Sequence, residues 1–172
     1  MNDLFALPGN VVGGTLGAGT DIIGGTLGTG SDVLGGGDQF RLTDLVSGEF
    51  SIETSKLALV HAHSVHVRDF AQLEINEQQS VAAALGAMPG SVPPRPDQAA
   101  MVGELALLRG PRFDHAYIMG QIKGHEELLA NNSQAINSDA DAAIRRVATL
   151  SVPTIETHLA ILHRLRAGLA SV

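Results

Sequence analysis

The stretch FDHAYIMGQIKGHEELL, Phe113–Leu129, decides the fold. Phe113, Tyr117, Met119, Ile122 and Leu129 recur at steps of about three and four, the spacing of one helical face turned toward a core. His125 falls into the same face, three residues after Ile122 and four before Leu129. A polar side chain in an apolar face needs a partner, because burying it unpaired costs free energy. Which partners His125 finds is the functional question.

Working outward, the flanking segments carry the same helical period. Before it, a helix is expected over about Thr43–His63, with Phe50, Leu57 and Val60 on its inner face and Glu53 among them. Ser64 is placed to cap a second helix that runs through Val67, Phe70, Leu73 and Val81 to about Leu85. GAMPGSVPPRP (Gly86–Pro96) holds four of the seven prolines and reads as a loop. A short helix over Asp97–Leu108 lies within that long connection. After Asn131–Ala135, Ser138 or Asp139 can cap a last helix carrying Ile144, Val147, Leu150, Ile155, Leu159, Leu162 and Leu165, with a kink expected at Pro153. Four amphipathic helices, short connections within each pair and a long one between the pairs describe an all-α four-helix bundle over residues 38–172. VRDFA (Val67–Ala71) and IRRVA (Ile144–Ala148) occupy corresponding places, as a duplicated helical hairpin would have them.

Composition agrees with this. Hydrophobic residues make up 44% and charged residues 17%, so the chain can fold around a core, and 172 residues suit one domain. Aromatics are only 3%, which leaves Leu, Ile, Val and Ala to fill it. A net charge of −7 argues against nucleic acid as the main partner. The absence of cysteine excludes disulfides, zinc–thiolate sites and thiol catalysis. MNDLFALPGN is not a standard secretory signal, since it lacks a basic start and Pro8 and Gly9 break its apolar run.

Residues 1–37 form a different segment. Asn10–Thr20 and Asp21–Ser31 are near copies with a period of 11, and Asp32 begins a third. Eleven residues are about three helical turns, so a helical repeat aligns Val12, Leu16, Ile23, Leu27 and Leu34 on one stripe. Helix-interior glycines oppose this at about 1 kcal/mol each relative to alanine. A flexible Gly/Thr/Ser tail is one reading. The regular Val and Ile pairs support another, a segment that orders against a second copy or a surface. Asp21 at mid-span argues against membrane insertion.

The motifs SxHVRDFA (Ser64–Ala71), NEQQ (Asn76–Gln79), FDHAY (Phe113–Tyr117), IKGHEE (Ile122–Glu127) and VPTIETHL (Val152–Leu159) together resemble domain-of-unknown-function family 4142, over about Ser47–Leu165. The resemblance implies a bacterial ferritin-like bundle, often exported to the cell envelope. Members of that family usually carry Asp-His where this chain has Glu77-Gln78.

The polar residues sort by level. Measured from the turns near Ser64 and Asp139 at about 1.5 Å per residue, Glu53, Glu74, Glu77 and His125 lie roughly 16, 15, 20 and 21 Å along their helices, and His158 roughly 29 Å. Two polar layers are expected: Glu53, Glu74, Glu77 and His125 in one, and His158 with Asp114, Tyr117 and Gln121 in the other. The first could bind one divalent metal ion through carboxylate and imidazole. A Glu–His pair that fixes helix register accounts for the same residues. The Glu-x-x-His pattern of di-iron sites is missing from helices 2 and 4, since Ile155 stands where its Glu would be. His61, His63 and His66 bracket the first turn and read as a solvated helix end. No nucleophile motif, phosphate loop or dinucleotide fingerprint is present. The expectation is therefore a non-enzymatic, homo-oligomeric bundle that self-associates or attaches to a surface through its glycine repeat. The alternative is a metal-binding ferritin-like protein with oxidoreductase or metal-handling activity.

Overall fold

The structure, a computed structural model, describes residues 36–169. The glycine repeat, with its stripe of Val12, Leu16, Ile23, Leu27 and Leu34, lies outside the described residues. What is described is all-α: α1 (Gly36–His61), α2 (Val65–Ala84), α3 (Pro96–Leu107), α4 (Gly110–Ile136) and α5 (Ala142–Leu169), with no strand among the described residues.

Local chemistry sets the boundaries. Ser64 takes an extended conformation ahead of α2. After Leu85 the chain turns through Gly86 at φ 69°, a left-handed conformation in which a Cβ would be strained. Pro96 opens α3, where a missing N–H costs nothing, and Gln98 Oε1 accepts the Arg95 N–H at 3.0 Å. The last helix is capped by Asp141 rather than by Ser138 or Asp139. One carboxylate oxygen accepts the N–H groups of Ala143 and Ile144 at 2.8 and 2.9 Å, so α5 begins at Ala142. α5 continues through Pro153 to Leu169.

Side-chain pairs fix the directions of the helices. Along α1, Asp44 meets Asn132, Ser51 meets Gln121 and Ser55 meets Tyr117 on α4, so the two helices run antiparallel. Asp114, near the start of α4, accepts the backbone N–H of His63 and Ser64 at 2.9 and 2.8 Å. The α1–α2 turn and the start of α4 therefore share one end. The connection from α2 to α4 crosses the length of the molecule, and its helix α3 packs on α1 and α4. Met101 of α3 sits against Gly120, where a Cβ would come within 2.7 Å of its methyl group. α5 packs on α4 and, less extensively, on α2.

Buried apolar side chains form two clusters. One contains Val67, Phe70, Leu105, Phe113, Tyr117, Ile118 and Leu162. The other contains Phe40, Leu85, Ala135 and Ala148. Several residues assigned to inner faces from the sequence point outward. Val60 is 79% exposed and Leu150 74%, and Leu73 and Met119 are also exposed. On α1 the inward positions are held by Ser47, Ser51, Thr54 and Ser55, and Val60 is left facing outward. These small groups let α1 and α4 approach, and three of them, Ser51, Thr54 and Ser55, bond to α4, while the Ser47 hydroxyl is buried without a partner among the described residues. Ser51 Oγ donates to Gln121 Oε1 (3.2 Å), Gln121 Nε2 donates to Thr54 Oγ1 (2.8 Å), and Ser55 and Tyr117 share a hydrogen bond of 2.8 Å. No helix among the described residues is long and apolar enough to cross a membrane.

Candidate metal centre

Glu74 of α2, His125 of α4 and His158 of α5 converge in the interior. Glu74 and His125 are wholly buried, and His158 is nearly so. Glu74 Oε1 lies 3.2 Å from His125 Nε2 and 2.9 Å from His158 Nδ1, and the two ring nitrogens are 3.2 Å apart. Three ligand atoms from three helices thus form a nearly equilateral triangle.

The outer nitrogen of each ring is engaged elsewhere. His125 Nδ1 donates to the Gln121 carbonyl at 2.8 Å, which places its proton on the outer side. His158 Nε2 faces Glu77 Oε2 at 3.2 Å. Phe70 packs edge-on against His158, with ring centroids 5.3 Å apart, and tilts over His125 at 6.1 Å. Glu74 Oε2 is buried with no hydrogen-bond partner among the described residues.

The electrostatics follow from this placement. Burial pushes the Glu74 carboxyl up, but the hydrogen bonds and charges of His125 and His158 outweigh it and bring it down to about 2. Burial disfavours the His125 cation, yet the bond to Glu74 and its charge hold the imidazole above its ordinary value. Burial raises Glu77, with its contact to His158 opposing the shift. The donor set of two imidazoles and one carboxylate, with a second carboxylate behind one ring, could hold a metal ion.

The structure brings together Glu74 and His125 from the expected layer, with Glu77 one contact further out. Glu53 is half-buried on α1, outside the cluster. His158 departs from the second layer and joins the first. With its cap at Asp141, α5 starts later than expected and spans 28 residues, about 42 Å at 1.5 Å per residue, so His158 lies near mid-helix at the level of Glu74. The remaining members of the second layer have separate structural tasks: Tyr117 and Gln121 in the α1–α4 ladder, and Asp114 on the backbone of the α1–α2 turn. At the first turn, His61 Nδ1 accepts a hydrogen bond from Arg109 at 3.0 Å, and its ring meets Phe113 edge-on. His63 and His66 are exposed. The Asp141 cap was the local signal that bore on the level of His158, and it accounts for only part of the difference.

Among solved structures, the fold is similar to the crystal structure of a DUF305 fragment from Deinococcus radiodurans, with a TM-score of 0.61 and 18% identity over 81% of this chain and 98% of that one. At that identity the likeness speaks to the fold alone. No curated protein matches. The profile described as domain of unknown function (DUF4142) matches residues 37–165, which take in α2 to α4 whole and nearly all of α1 and α5, and the chain belongs to that family.

Proposed function

We propose that this protein is a metal-binding helical bundle of ferritin-like arrangement, in which Glu74, His125 and His158 hold one divalent first-row transition ion. In this reading α1, α2, α4 and α5 are the four bundle helices and α3 belongs to the crossing connection. The observation that carries the proposal is the pairing of outer acceptors with inner lone pairs. With Nδ1 of His125 donating to a carbonyl, the inner nitrogen of the neutral ring offers a lone pair to the triangle, whereas the imidazolium would carry a second proton toward Glu74. Glu77 facing the outer nitrogen of His158 favours the same arrangement there. Neutral imidazoles held in this way leave three acceptors facing one another, a repulsive arrangement that either extra protons or a cation must relieve.

Size and chemistry support the cation. Sides of 2.9–3.2 Å suit adjacent ligands about 2.1 Å from one ion and close to a right angle apart. Two nitrogens and one oxygen suit zinc, iron, manganese or copper better than calcium or magnesium, which prefer all-oxygen sites. The ion would also neutralise the two carboxylates without protonating either ring. Burial of all three ligands favours holding or delivering an ion over turning over a bulky substrate.

The test uses the full chain purified without a histidine tag. Metal analysis is expected to find up to one equivalent of a transition metal, and Co²⁺ added to chelator-treated protein is expected to give visible ligand-field absorption. Glu74→Gln and His158→Gln are expected to lose both signals. Absence of bound metal together with absence of the cobalt spectrum in the unaltered protein would overturn the proposal.

A further inference from the structure

A groove of about 900 Å³ opens at the end of the molecule where the first turns of α2 and α4 meet the last turns of α5. That volume falls within the range of about 300–1,000 Å³ common to small-molecule sites. Its walls are largely apolar and include Val65, Leu165 and Leu169, and Val65 is 51% exposed. A second hollow of about 400 Å³ shares His66, Arg164 and Leu165 with it and continues between α2 and α5 over Phe70 and Ile161.

The rim is cationic in a chain whose net charge is −7. The side chains of Arg164 and Arg166 border the groove, with no side-chain hydrogen bond or ion pair to any described residue. His63, His66 and His115 add three imidazoles. Of the nearby acids, Asp114 has both carboxylate oxygens occupied by the N–H groups of His63 and Ser64, and Asp69 lies in the smaller hollow. The positive ends of α2 and α4 also lie at this end, and Ser64 makes no side-chain cap on α2. Largely apolar walls that also carry two arginines suit an amphiphilic anion. A small inorganic anion would leave the walls wet, and a cationic chain would meet the arginines. A bilayer is bound by a protruding apolar face rather than a concave one.

We propose that this groove binds a single-chain anionic amphiphile, with its tail along Val65, Leu165 and Leu169 and its head group between Arg164 and Arg166. The site is distinct from the metal triangle and does not depend on it.

The test is calorimetric titration of the full chain with dodecanoate below its micellar concentration. Dodecyltrimethylammonium, inorganic phosphate and phosphatidylglycerol vesicles serve as the other arms. Dodecanoate is expected to bind once per chain with a negative heat-capacity change, while the cationic chain and phosphate give no binding heat. Replacing both exposed arginines (Arg164→Gln with Arg166→Gln) is expected to weaken dodecanoate by about tenfold or more, with an unchanged circular dichroism spectrum. Val65→Glu, also exposed, is expected to weaken it comparably. Equal binding of the two amphiphiles, undiminished binding by the arginine variant, or binding to vesicles alone would overturn the proposal. So would a dimer that dodecanoate fails to dissociate, which would make a second copy the occupant.

Discussion

Asp44 offers a test of the structure in which charge alone is changed. Its carboxylate is buried on α1, and one oxygen accepts Asn132 Nδ2 at 2.8 Å and Asn131 Nδ2 at 3.1 Å. Burial raises its pKa from 3.8 to about 6, against the opposing effect of the two amide bonds. A carboxyl raised by folding stabilises the native state only while protonated. Its contribution is complete below pH 4 and is lost as the pH climbs through about 6. The shift of about two units corresponds to about 3 kcal/mol at neutral pH, from 1.36 kcal/mol per unit. Asp44→Asn keeps the shape and the accepting oxygen and removes the charge. The variant is therefore expected to exceed the parent in stability by up to about 3 kcal/mol at pH 7.5, or about 6–12 °C in Tm for a chain of this size. The two proteins should converge near pH 4. Urea or thermal melts at half-unit steps from pH 4 to 8 read the difference directly. A gap that does not change with pH, or a variant less stable than the parent at pH 7.5, would refute the reasoning.

Three further outcomes are expected. In metal-free protein, Glu74→Gln should destabilise at pH 6, because a carboxyl held at about 2 instead of 4.5 contributes stability above its unfolded pKa. That difference should close as the pH falls toward 2, as followed by fluorescence-free methods such as circular dichroism, since the chain has no tryptophan. Asp114→Ala should cost about 2–6 kcal/mol in denaturant melts, as it strands two backbone N–H groups at about 1–3 kcal/mol each. Glu77→Gln should preserve the stoichiometry of cobalt binding but weaken its affinity by about 10- to 100-fold, the usual cost of losing an outer partner of a ligating histidine.

The amphipathic period around Phe113–Leu129 was enough to read the long helices, and His125 was legible as a buried polar residue because it interrupted that period. Two properties of the chain hid the rest. α1 faces inward with Ser47, Ser51, Thr54 and Ser55, so a search for hydrophobic stripes selected Val60, which faces water. Buried hydroxyls are recognised by their partners, and those of Ser51, Thr54 and Ser55 lie about 60–70 residues away on α4. The level of His158 depended on where α5 begins. Moving the cap from Asp139 to Asp141, two residues, moves a side chain by about 3 Å along the axis, and the length of the crossing connection sets the rest. Glu53 carries the right chemistry at a suitable level, but level does not determine which way a side chain faces.

The triangle of Glu74, His125 and His158 also bears on how the chain assembles. Its carboxylate belongs to the first helical pair and both imidazoles to the second, so neither half can complete it alone. Glu74 and His158 are 84 residues apart in sequence, from their numbers. An ion gripped by all three would act as a late clasp, engaging only after the halves have met and then slowing their separation. Chelation should accordingly speed the parting of the two halves more than it slows their meeting.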